Sequence, residues 1–239
     1  MASTDETINS RPMKGTESRI RIGGVWLAIG SVLFVVGLLL HPPPSPNPSE
    51  FMATIAQDPG RWMAAHGVTI IGLIFLTVAG LIILTTPSRL TEHGLTTTAW
   101  AAVIIGSVLI MTAAFLEATV ITSASVTGDT ATFSMWNPFA EAHAFAILLV
   151  SLGIAVIAIN EARTDQGLTA QWAAWIGTIA GLLSAGGFVL GIGLGIAFGG
   201  VLWLISTLVM SLWTLWLGVA LARVDGYSLT SSGRWAPTD

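Results

Sequence analysis

The chain has 239 residues, of which 53% are hydrophobic and only 9% are charged, and its formal net charge is −4. A soluble domain carries about 25% charged residues, so this composition excludes an ordinary soluble domain and predicts a protein that lies largely in lipid. The sequence contains no cysteine, which excludes disulfides, thiolate metal ligands and a cysteine nucleophile. Its nine basic residues form no cluster, so nothing indicates binding to nucleic acid.

Residues 1–21 are polar and poor in apolar side chains, so they are predicted to form a disordered cytoplasmic tail. Six apolar segments follow, each long enough to cross about 30 Å of hydrocarbon as a helix. Their predicted bounds are 22–41, 62–86, 97–119, 139–160, 172–196 and 200–222, and residues 223–239 form a second cytoplasmic tail. Only helices and closed barrels satisfy their backbone in lipid, and these segments lack the alternation of barrel strands. The predicted fold is therefore all-α, an integral membrane bundle of six transmembrane helices.

The distribution of basic residues predicts the orientation of the bundle. If the N-terminus is cytoplasmic, Arg61 is the only basic residue outside and the other eight lie in the cytoplasm. Six spans then return the C-terminus to the same side. The predicted location is the plasma membrane, with both termini inside and the lipid bilayer as the main partner.

Helix-start signals mark the outer loops. Ser49 is expected to cap a short helix on the outer surface, and Asp58 with the proline after it is expected to start the second span. The loop at 120–136 is rich in serine and threonine, with a predicted turn at Gly128. Asn137, also followed by proline, is expected to start the fourth span.

An internal repeat relates the odd-numbered spans. The run Gly30–Leu33 matches the run Gly106–Leu109 without a gap, and His41 and Glu117 each lie eleven residues after the first glycine of the run. The inner loops before the third and fifth spans also match. These matches predict three copies of one helical hairpin, of which the third is degenerate.

Polar residues gather near the predicted outer face. His41 ends the first span, Glu117 lies near the end of the third, and His66 and His143 lie in the first turns of the second and fourth. Consecutive helices tend to be neighbours, so these side chains and Glu141 have the common depth that convergence needs, and whether they meet is left open. Imidazole and carboxylate bind zinc, copper or iron, and two histidines on facing helices would hold a haem iron. The candidate metal ligands are His41, His66, Glu117 and His143.

A polar rim at the membrane surface is the competing explanation for some of these residues. For His41 and for Glu141, contact with water and headgroups explains the polarity better than a site does. Glu117 is flanked by apolar residues, and a carboxylate inside a span costs about 2.5–3.5 kcal/mol unless it is paired or protonated. Glu117, His66 and His143 are therefore expected to be either functional or structurally paired.

Small and hydroxyl-bearing residues mark the last two spans. Gly187, Gly191 and Gly195 recur at four-residue spacing, which permits close helix approach. Packing within the chain is the favoured explanation, and self-association through this stripe is the alternative. The serines and threonines of the last span are expected to bond to their own helix backbone: Ser206, Thr207, Ser211 and Thr214.

Three functional hypotheses are compatible with the sequence, and whether the chain is an enzyme is left undecided. The first is a non-catalytic membrane subunit or scaffold, which needs no site. The second is an outward-facing metal or haem centre for redox chemistry or metal-assisted hydrolysis. The third is a small proton-coupled transporter with Glu117 as the titrating group. Transporters usually carry polar or helix-breaking residues at the bilayer midplane, whereas the ionisable residues here lie toward one face.

Overall fold

The computed structural model describes residues 14–42, 47–165, 167–224, 227–229 and 235–237, and almost all of them are helical. The α-helices among these residues are α1 (Lys14–Leu40), α2 (Pro48–Gln57), α3 (Pro59–Leu84), α4 (Gly94–Leu116), α5 (Thr122–Thr127), α6 (Thr130–Ala144), α7 (Ile147–Arg163), α8 (Gln171–Phe188) and α9 (Ala197–Ala222). Two π-helical turns, Glu117–Ile121 and Val189–Gly193, follow α4 and α8. Short strands β1 (Tyr227–Leu229) and β2 (Trp235–Pro237) pair antiparallel after the last helix.

Six helical stretches in the described residues are long and apolar enough to cross a membrane. They are Glu17–Leu40, Pro59–Leu84, Gly94–Thr127, Thr130–Arg163, Gln171–Gly193 and Ala197–Ala222. This confirms the prediction of a multi-pass helical membrane protein with six spans. The first helix begins at Lys14, so residues 14–21 are helical rather than part of a disordered tail, and residues 1–13 lie outside the described residues.

The spans pack in chain order and the last returns to the first. α1 packs on α3, α3 on α4, α4 on α7, α7 on α8 and α8 on α9, while α9 also packs along α1. This last contact depends on glycine, because a Cβ on Gly24 would lie 2.5 Å from the backbone nitrogen of Ala222. A Cβ on Gly218 would lie 2.7 Å from the backbone nitrogen of Ala28. The buried core runs through all six spans and includes Leu73, Trp100, Ile157 and Met210.

The glycine stripe of the fifth span packs inside the chain. A Cβ on Gly187 would lie 2.5 Å from the backbone nitrogen of Trp203 on α9, and Gly191 approaches the backbone of Gly200 as closely. Gly195 has φ +68° in the turn before α9 and has open space around it. The contacts that the structure shows for Gly187 and Gly191 are thus contacts between neighbouring spans of one chain.

Buried hydroxyls link the last three spans. Ser184 Oγ on α8 lies 2.9 Å from Ser151 Oγ on α7 and 2.8 Å from Thr207 Oγ1 on α9, and all three residues are fully buried. Ser206, Ser211 and Thr214 donate to carbonyls of their own helix, as the sequence predicts. Thr207 differs because its hydroxyl lies against another buried hydroxyl, which satisfies both groups where water is absent.

The connections that the sequence predicts to lie outside differ from the prediction in two places. The N-cap of α2 is Asn47 rather than Ser49, because the Asn47 side chain accepts a hydrogen bond from the backbone nitrogen of Ser49 at 3.0 Å. The loop predicted at 120–136 is largely helical, since the third span continues through the first π-turn and α5. The predicted turn at Gly128 is confirmed, with φ 69°.

The fourth span also starts earlier than predicted. Asp129 caps α6 by accepting hydrogen bonds from the backbone nitrogen of Thr132 at 3.0 Å and from its hydroxyl at 2.7 Å. Asn137 does not start a helix, and Pro138 lies inside α6. The prediction was wrong because Asp129 offers an equally good cap earlier in the chain, where no proline is needed. A proline inside a helix removes its own hydrogen bond and crowds the carbonyl four residues earlier, and helices in membranes tolerate this where neighbouring groups satisfy the freed backbone.

Candidate metal centre

Three of the four predicted ligands meet at one end of the bundle. His41 directly follows α1, His66 lies in the second turn of α3, and Glu117 opens the first π-turn. One potential ligand atom from each residue lies within 4.8 Å of the others. Nε2 of His66 is 2.8 Å from Oε2 of Glu117, and the rings of His41 and His66 have centroids 5.1 Å apart.

Local signals in the sequence bring the two histidines together. Asp58 caps α3 by accepting a hydrogen bond from the backbone nitrogen of Arg61 at 3.0 Å, which fixes where the helix starts and where His66 lies along it. The Arg61 side chain donates from Nε to the carbonyl of Leu40 at 2.8 Å. That carbonyl is one of the last of α1 and has no partner within its own helix. Arg61 therefore joins the start of α3 to the end of α1, next to His41.

The π-turn positions Glu117 opposite the histidines. The Glu117 carbonyl accepts a hydrogen bond from the hydroxyl of Thr122, five residues on, at 2.6 Å. Single π-turns inside α-helices are rare and recur at functional sites. The turn ends with Ile121, which is fully buried, so the helix is anchored on both sides of the carboxylate.

Hydrogen bonds to carbonyls define the protonation of both imidazoles. Nδ1 of His66 lies 2.8 Å from the Trp62 carbonyl, and Nδ1 of His41 lies 2.6 Å from the Pro42 carbonyl. A carbonyl only accepts, so each Nδ1 carries the hydrogen. In the neutral imidazole Nε2 then carries a lone pair. Nε2 of His66 faces the Glu117 carboxylate at 2.8 Å. Two acceptors at this distance require a cation between them, either a proton or a metal ion. An Nδ1 that donates to a carbonyl is also the arrangement typical of metal-bound histidine.

An apolar roof covers the centre. Trp62 is only 1% exposed, and its ring centroid lies 4.6 Å from that of His41 and 4.7 Å from that of His66. Phe51 of α2 packs edge-on against the other side of Trp62, with centroids 5.3 Å apart. The roof consists of Met52, Ile55, Trp62, Ile121, Ala124 and Phe133, with Phe51 and Trp136 beside them. It excludes water, which strengthens any interaction between the ligands and a cation.

Burial also acts on the protonation of His41, which lies just beyond the end of the first span. Burial, followed by the nearby His66, lowers the pKa of His41 below its ordinary value, although Glu117 acts in the opposite direction. The lower pKa favours the neutral imidazole. A neutral imidazole is the form that binds a metal ion.

The structure leaves His143 apart from this cluster. It lies in the last turn of α6 rather than in the first turn of a span, because α6 begins at Asp129. Its Nδ1 bonds to the Phe139 carbonyl at 2.8 Å, and its ring packs on Phe139. Glu141 is exposed and accepts a hydrogen bond from the amide of Asn137 at 2.7 Å.

A buried ion pair at the opposite end of α3 was not singled out from the sequence. Nη2 of Arg89 lies 3.0 Å and 2.9 Å from the two carboxylate oxygens of Glu161, which is 1% exposed. The backbone nitrogen of Leu168 also donates to this carboxylate at 2.7 Å. The pair joins the loop after α3 to the end of α7 and the loop after it. The available signal was an acidic residue near the end of a span in a chain with few charges.

The geometry fits a bare metal ion and does not fit a haem held by two histidines. The imidazoles of His41 and His66 are in edge-on contact with centroids 5.1 Å apart, so no porphyrin plane fits between them. The two nitrogens and one oxygen of the cluster are instead a donor set that zinc or iron accepts. No protein-family model matches the chain, and neither a curated protein nor a solved structure shows significant similarity to it.

Proposed function

We propose that this multi-pass membrane protein binds one divalent transition metal ion through His41, His66 and Glu117. The observation that carries the proposal is the 2.8 Å separation between Nε2 of His66 and the Glu117 carboxylate, while Nδ1 of His66 donates to a carbonyl. His41 repeats the arrangement, with its Nδ1 also bonded to a carbonyl. A metal ion would bind one ligand atom from each of the three residues, and these atoms lie within 4.8 Å of one another, whereas a single proton is shared by only two atoms.

The donor set indicates the chemistry that the ion would support. Two histidines and one carboxylate leave coordination positions open for water or substrate, as in catalytic zinc sites and non-haem iron sites. The ion would then polarise a bound oxygen or activate a water molecule. Each histidine is oriented by its carbonyl acceptor, and Trp62 excludes water from one side. These features support a catalytic or redox role more than a purely structural one.

The competing functions find less support in the described residues. A proton-coupled carrier would need ionisable groups along the bundle, and the cluster lies at one end of its spans. The non-catalytic subunit explains the bundle but gives no reason for three ligand atoms within 4.8 Å of one another.

Metal analysis of the purified protein tests the proposal. The chain would be expressed in metal-replete medium, purified in mild detergent, and assayed for zinc, iron and copper and for cobalt(II) binding by visible absorption. We expect about one ion per chain, and we expect His66→Ala and Glu117→Ala to lose it. His143→Ala is the matched control, because that histidine also bonds to a carbonyl four residues earlier, and it should retain the ion. A metal-free wild-type protein, or full retention by His66→Ala, would contradict the proposal.

A further inference from the structure

A groove of about 330 Å³ runs beside the metal centre, between α3 and the helix that carries Glu117. It is lined by Pro59, Met63, Ala118, Thr119, Thr122, Ser123, Val126 and Thr127. Both walls belong to stretches that are long and apolar enough to span a membrane. The groove is adjacent to the centre on both walls, because Ala118 directly follows Glu117 and Met63 directly follows Trp62.

The walls of the groove are apolar despite their threonines. The hydroxyl of Thr119 donates to the Phe115 carbonyl at 2.6 Å, and that of Thr127 donates to the Ser123 carbonyl at 2.9 Å. Thr122 donates to the Glu117 carbonyl in the same way. These hydroxyls are already satisfied within their own helix, so the groove offers mainly carbon to a ligand. Such a lining accepts a hydrocarbon chain.

Access to the metal centre differs between the roof and the groove. On the roof side, Trp62 is 1% exposed and is covered by Phe51. The Glu117 side chain, in contrast, is 17% exposed, and the helix that carries it forms one wall of the groove. The roof closes the centre at Trp62, whereas the groove lies beside the carboxylate that keeps some exposure.

The charges near the centre favour an anionic head group. A divalent ion and Glu117 leave one positive charge, and the imidazoles are neutral when they bind metal. Arg61 adds a cation, since its exposed side chain is anchored through Nε to the carbonyl of Leu40, directly before His41. A carboxylate head would complete the coordination of the ion, and the volume of the groove suits one acyl chain rather than the two of a phospholipid.

From these features we infer that the ligand of the metal centre is a single-chain amphiphile, a long-chain fatty acid that enters from the membrane. Its carboxylate oxygen occupies an open position on the ion, and its chain lies in the groove between Met63 and Val126. This inference rests on the proposed metal function. It adds the substrate class and the direction of entry.

Oleate binding to the cobalt(II)-loaded protein in detergent tests the inference through the visible bands of cobalt. Oleate should shift the bands at concentrations at least tenfold lower than acetate, which has the head without the chain. Thr119→Trp and Val126→Trp place bulk in the groove at exposed positions, and both should weaken the oleate response about tenfold while cobalt affinity and the acetate response stay unchanged. Ile71→Trp is the control, since Ile71 is 49% exposed on α3 outside the groove, and it should behave as the wild type.

Equal potency of acetate and oleate, or groove variants that respond like Ile71→Trp, would overturn the inference while the metal function stands. Failure of cobalt to bind would overturn the metal function itself and, with it, the placement of the head group. Retention of radiolabelled oleate by the metal-free protein separates these cases. Retention that is lost in both groove variants but kept in Ile71→Trp would support the groove as the site of the chain, and absence of retention would overturn it.

Discussion

The two ends of α3 each bring a carboxylate against a nitrogen-bearing side chain, but the donors at the two carboxylates differ. At the C-terminal end, Glu161 accepts hydrogen bonds from Arg89 and from the backbone nitrogen of Leu168. At the N-terminal end, Glu117 faces Nε2 of His66, whose only ring hydrogen in the neutral form is already donated to a carbonyl. The first carboxylate has its cation within the chain, whereas the second needs a proton or, under the proposed function, a metal ion. Structural pairing explains the first end, and the proposed metal site concerns the second.

The largest change in the free energy of unfolding is expected when the ion pair of Arg89 and Glu161 is broken. Arg89→Ala leaves Glu161 buried without its cation, and removal of one partner of a buried pair costs about 3–5 kcal/mol. The free energy of unfolding in detergent should fall by that amount. Arg163→Ala, at an exposed position at the end of α7, is the control and should change stability little. A small loss in Arg89→Ala would show that the pair does not stabilise the contact between the loop after α3 and the end of α7.

The cluster of His41, His66 and Glu117 at the N-terminal end of α3 should instead be stabilised by metal. An ion that binds only the folded protein at 100 times its Kd stabilises it by about 2.7 kcal/mol. We therefore expect zinc or cobalt to raise the melting temperature of the wild type and of His143→Ala, but not of His66→Ala. Chelator should reverse the increase. An equal increase in His66→Ala would place the ion elsewhere.

Glutamine in place of each carboxylate compares the two ends directly in chelated protein. In Glu117→Gln the amide can donate to Nε2 of His66, so two facing acceptors become a hydrogen bond worth about 1 kcal/mol. We expect Glu117→Gln to keep or gain stability without metal, while Glu161→Gln loses it. If Glu117→Gln is destabilised in chelator, His66 and Glu117 form a proton-bridged ion pair, and the two ends of α3 are alike.

The smallest effect is expected among the buried hydroxyls of the last three spans. Ser184→Ala removes the contact to Ser151 and the contact to Thr207 at once. Hydrogen bonds between membrane helices average about 0.6 kcal/mol, so a loss of about 1 kcal/mol in the unfolding free energy is expected. Metal affinity should not change. A change in metal affinity would mean that the last three spans are coupled to the site.

The sequence predicted the spans well because apolar length alone defines them. It also predicted the start of α3 at Asp58 and the common depth of His41, His66 and Glu117, but it left open whether these side chains meet and favoured a polar rim for His41. The error at His143 arose from choosing between two good helix caps, a choice that depends on how α6 packs against the rest of the bundle. The internal repeat stays a prediction, although His66 and His143 both bond to a carbonyl four residues earlier.

The ion pair of Arg89 and Glu161 could not be derived from the sequence. It joins Arg89, in the loop after α3, to Glu161, which lies 72 positions later near the end of α7. No local pattern encodes such a contact, because it depends on which loops face each other at the end of the bundle. The role of Trp62 was missed for a similar reason. Tryptophan is common near a membrane surface, so its position in the sequence indicates no site. Only the fold shows that its ring packs against two imidazoles.

The π-turn at Glu117 also changes the direction in which side chains after it point around the axis of the third span. A π-turn accommodates one residue more than an α-helical turn, and one residue corresponds to a rotation of about 100°. Removal of Ala118 would restore an unbroken α-helix and rotate the Glu117 carboxylate relative to Ile121, which anchors the roof. A single extra residue therefore sets the direction of the Glu117 carboxylate relative to the position of Ile121 in the roof. Deleting one residue there would change this relative orientation without altering the ligands or the roof residues themselves.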